Sequence, residues 1–182
     1  MKFDETFIKD LYVITPNIFG DERGWFSETY NQKEFIKNGI NLNFVQDNHS
    51  YSLQKGVLRG LHFQTEPFAQ TKLVRCTKGR VWDVAVDLRK SSPTYLKWCG
   101  IELSEKNHIM FLIPRGFAHG FITLEENSEF QYKVDNFYDK SSDRSIKYND
   151  PIINVIWPNI NVILSEKDMN ALFLQESDVD FQ

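Results

Sequence analysis

Between Leu11 and Val134 the chain passes through a series of short apolar, β-branched and aromatic segments. These are LYVITP, GWFSETY, KLVRCTKGRVWDVAVDL, KWCGIEL, HIMFLIP, HGFITL and SEFQYKV, with turn residues roughly every 8–15 positions. Short strands punctuated in this way fold into an antiparallel sandwich or barrel. Apolar and polar residues partly alternate in RVWDVAVDL, and TKG stands just before it as a turn, so KLVRC and RVWDVAVDL are expected to form a hairpin. Helix signals are few. NQKEFIKNG offers Asn31 as an N-cap and Gly39 as a stop, and SEKDMNALFL starts with Ser165 followed three residues later by Asp168. No repeat, low-complexity linker or composition shift divides the chain, so residues 1–182 are expected to form one domain, with a non-strand segment from about Asn149 onward.

At 182 residues such a domain buries roughly two-thirds of its unfolded surface and needs no disulfides. Cys76 and Cys99 stand alone, with neither a CxxC nor a Cys/His cluster, so a disulfide framework and a structural zinc site are both disfavoured and a reducing compartment is expected. The start, MKFDETFIKDLYV, lacks a leader-type apolar region, and no run approaches the ~20 apolar residues of a membrane span. A soluble, cytoplasmic protein with no membrane partner is expected. The 21 basic and 25 acidic residues are interspersed, which argues against a nucleic-acid partner but leaves room for a small anion held by two or three local cations. Aromatic residues make up 14%, enough for a β-rich core and for flat surfaces on which a ring-shaped ligand stacks.

One segment does not suit a plain core. GVLRGLHFQTEPFAQTKLVR, Gly56–Arg75, places Arg59, His62 and Lys72 among strand-like apolar neighbours, where each is costly to bury. Of the four histidines, His49 and His108 read as surface or structural residues. His62 and His119 sit in Gly-flanked apolar stretches, where an imidazole must find a partner or face a cavity. Histidines inside a β-barrel often hold a metal, but open catalytic sites take at least three protein ligands and the chain has no HxH pair, so no metal is expected. Acid–base chemistry fits better. His62 can accept a proton near neutral pH if a carboxylate steadies it, Lys72 can stabilise a developing oxyanion, and Arg59 can grip a phosphate with its fork of donors. Strand alternation alone does not fix whether Arg59 and Lys72 face the same way.

The motifs FVQDNHS, GVLRGLHFQ, KLVR, VWDVAVDLRKSSPT, IPRGFAHGF and EFQYK, in that order and followed by VIWP and LSEKD, resemble the dTDP-4-dehydrorhamnose 3,5-epimerases over most of the chain. The resemblance implies a mainly β, cupin-type jelly roll (a double-stranded β-helix) with a few short helices. It also implies a homodimer that exchanges N-terminal strands, and catalysis without cofactor or metal. In such an enzyme a C4 ketone acidifies the hydrogens on C3 and C5, a base removes one, and an acid on the far face returns a proton to invert the carbon. By motif, His62 is the implied base, Asp168 its orienting carboxylate, Lys72 the cation beside the C4 oxygen and Tyr132 the acid. The implied binding groups are Arg23 and Glu28, reaching across the dimer; Gln46, Asp47 and Asn48; Arg59 on the diphosphate; His119, Asp143 and Lys167; and Tyr138, stacked on thymine.

Three segments depart from the family pattern. Thr71 replaces the usual Gly before Lys72, which would narrow the site or alter a bend; Asp143 replaces a usual Glu; and IKYND replaces the commoner ITWND. These departures bear on the sugar accepted. Within the enzyme class the alternative is an epimerase acting at C3 only or C5 only on a related nucleotide 4-keto sugar. Outside it, the alternatives are a noncatalytic sugar-nucleotide-binding cupin, against which His62, Asp168, Lys72 and Tyr132 together argue, and a metal-dependent cupin oxygenase, which the missing HxH disfavours.

Overall fold

The computed structural model describes residues 1–182. Its strands are β1 (Lys2–Glu5), β2 (Tyr12–Thr15), β3 (Ile18–Asp21), β4 (Gly24–Ser27), β5 (Gln46–Ser52), β6 (Leu58–Gln64), β7 (Lys72–Lys78), β8 (Arg80–Asp87), β9 (Trp98–Ser104), β10 (Met110–Ile113), β11 (Phe117–Thr123), β12 (Ser128–Val134) and β13 (Asp143–Ser145). Helix α1 (Gln32–Lys37) precedes β5, and α2 (Glu166–Met169) lies in the strand-free C-terminal segment. One sheet runs β1-β2-β10-β7-β12-β5 and the other β13-β6-β11-β8-β9, while β3 and β4 form a separate hairpin. All named neighbours are antiparallel, and the two sheets face each other as a jelly roll.

The expected hairpin of KLVRC with RVWDVAVDL does not form. Strand β7 pairs with β10 and β12, and β8 pairs with β9 and β11, so both edges of each strand are occupied and neither has backbone groups left for the other. The chain instead crosses between sheets at Gly79. Its φ is +72°, and a Cβ there would come 2.6 Å from Ser128 Oγ, so the crossing needs glycine.

The partial alternation of β8 has a physical cause. Val81 and Ala85 face the space between the sheets with Val74, Phe111, Phe117, Phe121 and Phe130. Val84 and Val86 face outward, yet they too are buried, under Ile153, Val155, Leu174 and Phe181 of the C-terminal segment. A strand covered on both faces loses the period-two signal. Phe121 and Phe130, one from each sheet, stack with centroids 4.1 Å apart, and each buried ring contributes ~1.5–3 kcal/mol. On the outer face of the other sheet, Leu73, Met110 and Leu112 pack against Phe35 of α1.

Both helix starts form at the expected caps. The Asn31 side chain accepts from the Lys33 and Glu34 amides, and Ser165 Oγ accepts from the Asp168 amide. Helix α2 is a single turn, because Leu172 leaves it to bridge Ile146 and Leu174 is drawn into the core. No helix is long and apolar enough to cross a membrane.

Candidate active site

The cleft opens between the sheets, and each sheet supplies one wall. Alternation along β5 sends Gln46, Asn48, Ser50 and Ser52 inward and Asp47, His49 and Tyr51 outward. Strands β7 and β12 add Lys72 and Tyr132 to this wall, and Tyr132 lies opposite Asn48 in the ladder. Strand β6 supplies His62 and Gln64 from the other side, and Tyr138, Asp143 and Lys167 close the mouth. The open cleft has a volume of about 310 Å³.

His62 Nε2 is 2.5 Å from Asp168 Oδ1, while Asp168 Oδ2 accepts from Ser165 Oγ at 2.7 Å. The serine that starts α2 therefore also steadies the carboxylate. With Nε2–H given to Asp168, Nδ1 is the ring nitrogen left to take a proton. Burial lowers the pKa of His62, and the hydrogen bond and charge of Asp168 oppose this only in part, so the imidazole is neutral and basic at pH 7. Burial pushes the Asp168 carboxyl up, but hydrogen bonds from His62 and Ser165 outweigh it and hold the group ionised.

Lys72 Nζ lies 3.5 Å from the His62 carbonyl oxygen, and burial lowers its pKa to about 8 despite the pull of Asp143 and Asp83. Burial raises Tyr132, against the charge of Arg59, so its hydroxyl stays protonated. A neutral base on one wall, a phenol on the other and an ammonium between them can remove a proton beside a carbonyl, hold the enolate and return a proton from the far side.

Arg59 and His62 are three residues apart, a spacing that strict alternation would send to opposite faces. The β6–β11 register shifts between His119 and Phe121, and Gly60, at φ +140°, runs so close to β11 that a Cβ would meet Gly120 Cα at 2.5 Å. Arg59 thereby reaches the inner face, where Nε donates to Ser52 Oγ at 3.4 Å and Nη2 to the Tyr51 carbonyl at 3.2 Å. His119 lies opposite His62 in the same ladder but deeper, buried with Nε2 2.9 Å from Asp83 Oδ2. Asp83 is fully enclosed, does not line the cleft, and bears electrostatically on Lys72 from behind it. No three His, Cys, Asp or Glu side chains gather as a metal site.

At the mouth, Asp143 Oδ2 accepts from Lys167 Nζ at 2.6 Å and from the Tyr138 hydroxyl at 3.2 Å. The short aspartate thus joins two of the residues implied in nucleotide binding. Thr71 is buried, and its amide donates to Asp135 Oδ1 at 2.7 Å; it pins the start of β7 and does not line the cleft.

Three expected site residues lie elsewhere in the single chain. Asp47 faces outward, 71% exposed, and pairs with Lys133. Arg23 is 85% exposed on the β3–β4 turn and pairs with Asp21, while Glu28 accepts from Asn31. His49 is a half-exposed outer-face residue beside Glu129, and His108 packs edge-on against Trp25. Sequence reasoning took Ser165 only as a helix start and gave no site role to Asp83 or Gln64. Asp83 carried a usable signal, since an aspartate between Val81 and Ala85 on an apolar strand face needs a partner.

Fold and cleft together suit a jelly-roll enzyme whose chemistry is proton transfer, the class to which the comparisons also lead. The family model of the dTDP-4-dehydrorhamnose 3,5-epimerases matches residues 5–176. The dTDP-4-dehydrorhamnose 3,5-epimerase of Shigella flexneri is 52% identical over 179 residues, which span 98% of each chain. A solved dTDP-4-dehydrorhamnose 3,5-epimerase from Elizabethkingia anophelis NUHP1 superposes with TM-score 0.93 at 52% identity, covering 98% of this chain and 99% of that one. The dTDP-6-deoxy-D-glucose 3,5-epimerase of Legionella pneumophila Philadelphia 1, solved with dTDP-4-keto-L-rhamnose, gives TM-score 0.93 at 46% identity, covering 97% and 94%. The chain belongs to the dTDP-4-dehydrorhamnose 3,5-epimerase family.

Proposed function

We propose that this chain converts dTDP-4-dehydro-6-deoxy-D-glucose to dTDP-4-dehydro-L-rhamnose by inverting C3 and C5, a step in dTDP-rhamnose biosynthesis. The observation that carries this reading is the His62–Asp168 pair on one wall of the cleft with Tyr132 on the other. His62 takes the proton from C3 and becomes imidazolium beside ionised Asp168. The electron pair moves into the C4 carbonyl, and Lys72 stabilises the resulting enolate oxygen. Tyr132 delivers a proton to the opposite face, exchange with water restores both groups, and the same sequence acts at C5.

Arg59 and Lys167 hold the diphosphate, and Gln46, Asn48 and Asp143 contact the substrate. Tyr138 stacks on thymine, a contact worth ~1–3 kcal/mol. Residues 1–182 act as one catalytic domain in the cytoplasm. Arg23 and Glu28 serve the site of a second copy in a homodimer, which accounts for their exposure on a hairpin away from the cleft of their own chain. Mixing His62→Ala chains with Arg23→Ala chains should then restore activity that neither has alone; no restoration removes the exchanged hairpin from the mechanism.

In deuterium oxide, purified protein should place label at C3 and C5 of dTDP-4-dehydro-6-deoxy-D-glucose without added metal or nicotinamide. Label at C3 alone identifies a monoepimerase, and no label while the nucleotide binds rules out epimerisation of this sugar.

A further inference from the structure

Gln64 lies two residues beyond His62 on the same strand face and is only 5% exposed. Its Nε2 donates to the Phe68 carbonyl at 2.6 Å and the Phe137 carbonyl at 3.2 Å, and its Oε1 accepts from the Asp139 amide at 2.7 Å. Phe137 and Asp139 are the two chain neighbours of Tyr138, a residue 56% exposed at the mouth of the cleft. The remaining ties on Tyr138 are lighter: its amide donates to Gln46 Oε1 at 3.2 Å and its hydroxyl to Asp143 at 3.2 Å. Gln70 and Asn136 also join these loops, but through the Asn136 and Pro67 carbonyls, not through the residues flanking the ring on both sides.

We propose that Gln64 is a positioning residue for nucleobase recognition: it holds the backbone on both sides of Tyr138 and so fixes the ring at the angle and height at which a base stacks. The proposal rests on the reading that Tyr138 is the stacking platform. An exposed aromatic ring on a loop would otherwise lose conformational freedom on each binding event, and holding it in place beforehand removes that cost. The chemistry calls for an amide. Both amide hydrogens go to carbonyls and the oxygen takes an N–H, so a glutamate of the same shape loses two donors and brings a charge against two carbonyl oxygens, while a methionine loses all three bonds. Because Gln64 shares β6 with His62, the strand that carries the base also sets where the nucleotide rests.

The test compares calorimetric binding of dTDP and of inorganic pyrophosphate to the wild type, Gln64→Met, Gln64→Glu, Tyr138→Ala and the Gln64→Met/Tyr138→Ala double variant, with KM and kcat measured alongside. Gln64→Met and Gln64→Glu should each weaken dTDP about tenfold, leave pyrophosphate within about twofold, and raise KM more than they lower kcat. In the Tyr138→Ala background, Gln64→Met should add no further loss. Gln64→Glu keeps the side-chain shape and carries the comparison if Gln64→Met does not fold. Equal weakening of dTDP and pyrophosphate, additive losses in the double variant, or unchanged dTDP affinity in both Gln64 variants while Tyr138→Ala weakens it, each overturns the role of Gln64 alone. Unchanged dTDP affinity in Tyr138→Ala overturns the stacking reading and this proposal with it.

Discussion

His62 Nε2 and Asp168 Oδ1 meet at 2.5 Å although 106 positions separate the two residues in the chain. One comes from strand β6 of the jelly roll and the other from a single helical turn in the C-terminal segment, so docking that segment completes the base. The carboxylate engages Nε2 and leaves Nδ1 as the nitrogen that takes a proton. This orientation suits a residue that positions its partner and does not itself take the substrate proton.

His62→Ala should abolish deuterium incorporation at both C3 and C5. Asp168→Asn should keep the fold and lower turnover by about 10²-fold or more, from loss of the charge that stabilises the imidazolium. Because Asp168 raises the pKa of His62 against the effect of burial, the Asn variant should also move the acid limb of kcat/KM to lower pH. A lowered rate with an unmoved acid limb would leave Asp168 a structural role only.

Tyr132→Phe should separate exchange from inversion. Washout needs only His62, whereas inversion needs a donor on the opposite wall, so the variant should label carbon from solvent while forming little inverted product. Proton and carbon NMR on one reaction read both outcomes, and normal inversion by the Phe variant would move the acid elsewhere.

The pH dependence of kcat/KM should be bell-shaped. Burial places the His62 pKa below the ordinary 6.5, and the base works once deprotonated, so activity should rise with pH at values below 6.5. Lys72 works when protonated, and its pKa of about 8 makes activity fall as pH rises through that value. Tyr132 lies above 10 and does not set the alkaline limb. Lys72→Arg should extend the alkaline limb upward, because guanidinium keeps its proton; a limb that stays near 8 would assign it to another group.

Lys72 should also cost the protein stability. Its pKa falls from 10.5 to about 8 on folding, which at ~1.4 kcal/mol per pH unit corresponds to roughly 3 kcal/mol of penalty for burying the charge. The unfolded chain binds more protons between these values, so the wild type should gain stability as pH rises from about 8 to 10.5 and carry the full penalty below 8. Lys72→Met should melt several degrees higher at pH 7 while losing activity. An equal or lower melting temperature would mean that the ammonium is well solvated in the cleft.

The sheet-forming character, both helix caps and most of the cleft were legible in the sequence, because apolar periodicity, capping residues and ordered motifs are local signals. What escaped it depends on pairing across the fold. QDNHSYS is polar enough to read as loop, yet it forms β5, since only one face is turned into the cleft and the other meets solvent. The failed hairpin between β7 and β8 had a good turn, but the competing partners β9, β10, β11 and β12 lie far along the chain. Arg59 owes its inward direction to the register shift beside Gly60, which spacing alone does not reveal. The role of Gln64 is not local either: its three partners, Phe68, Phe137 and Asp139, come from two loops that only the fold brings together.

The base stands on one sheet and the phenol on the other, with the stacked rings of Phe121 and Phe130 wedged between the same two sheets. The apolar filling therefore acts as a caliper. It sets the gap across which one sugar carbon must be reached from both sides, so a thinner filling, as in Phe130→Leu, should register first as sluggish chemistry and only later as a weaker fold.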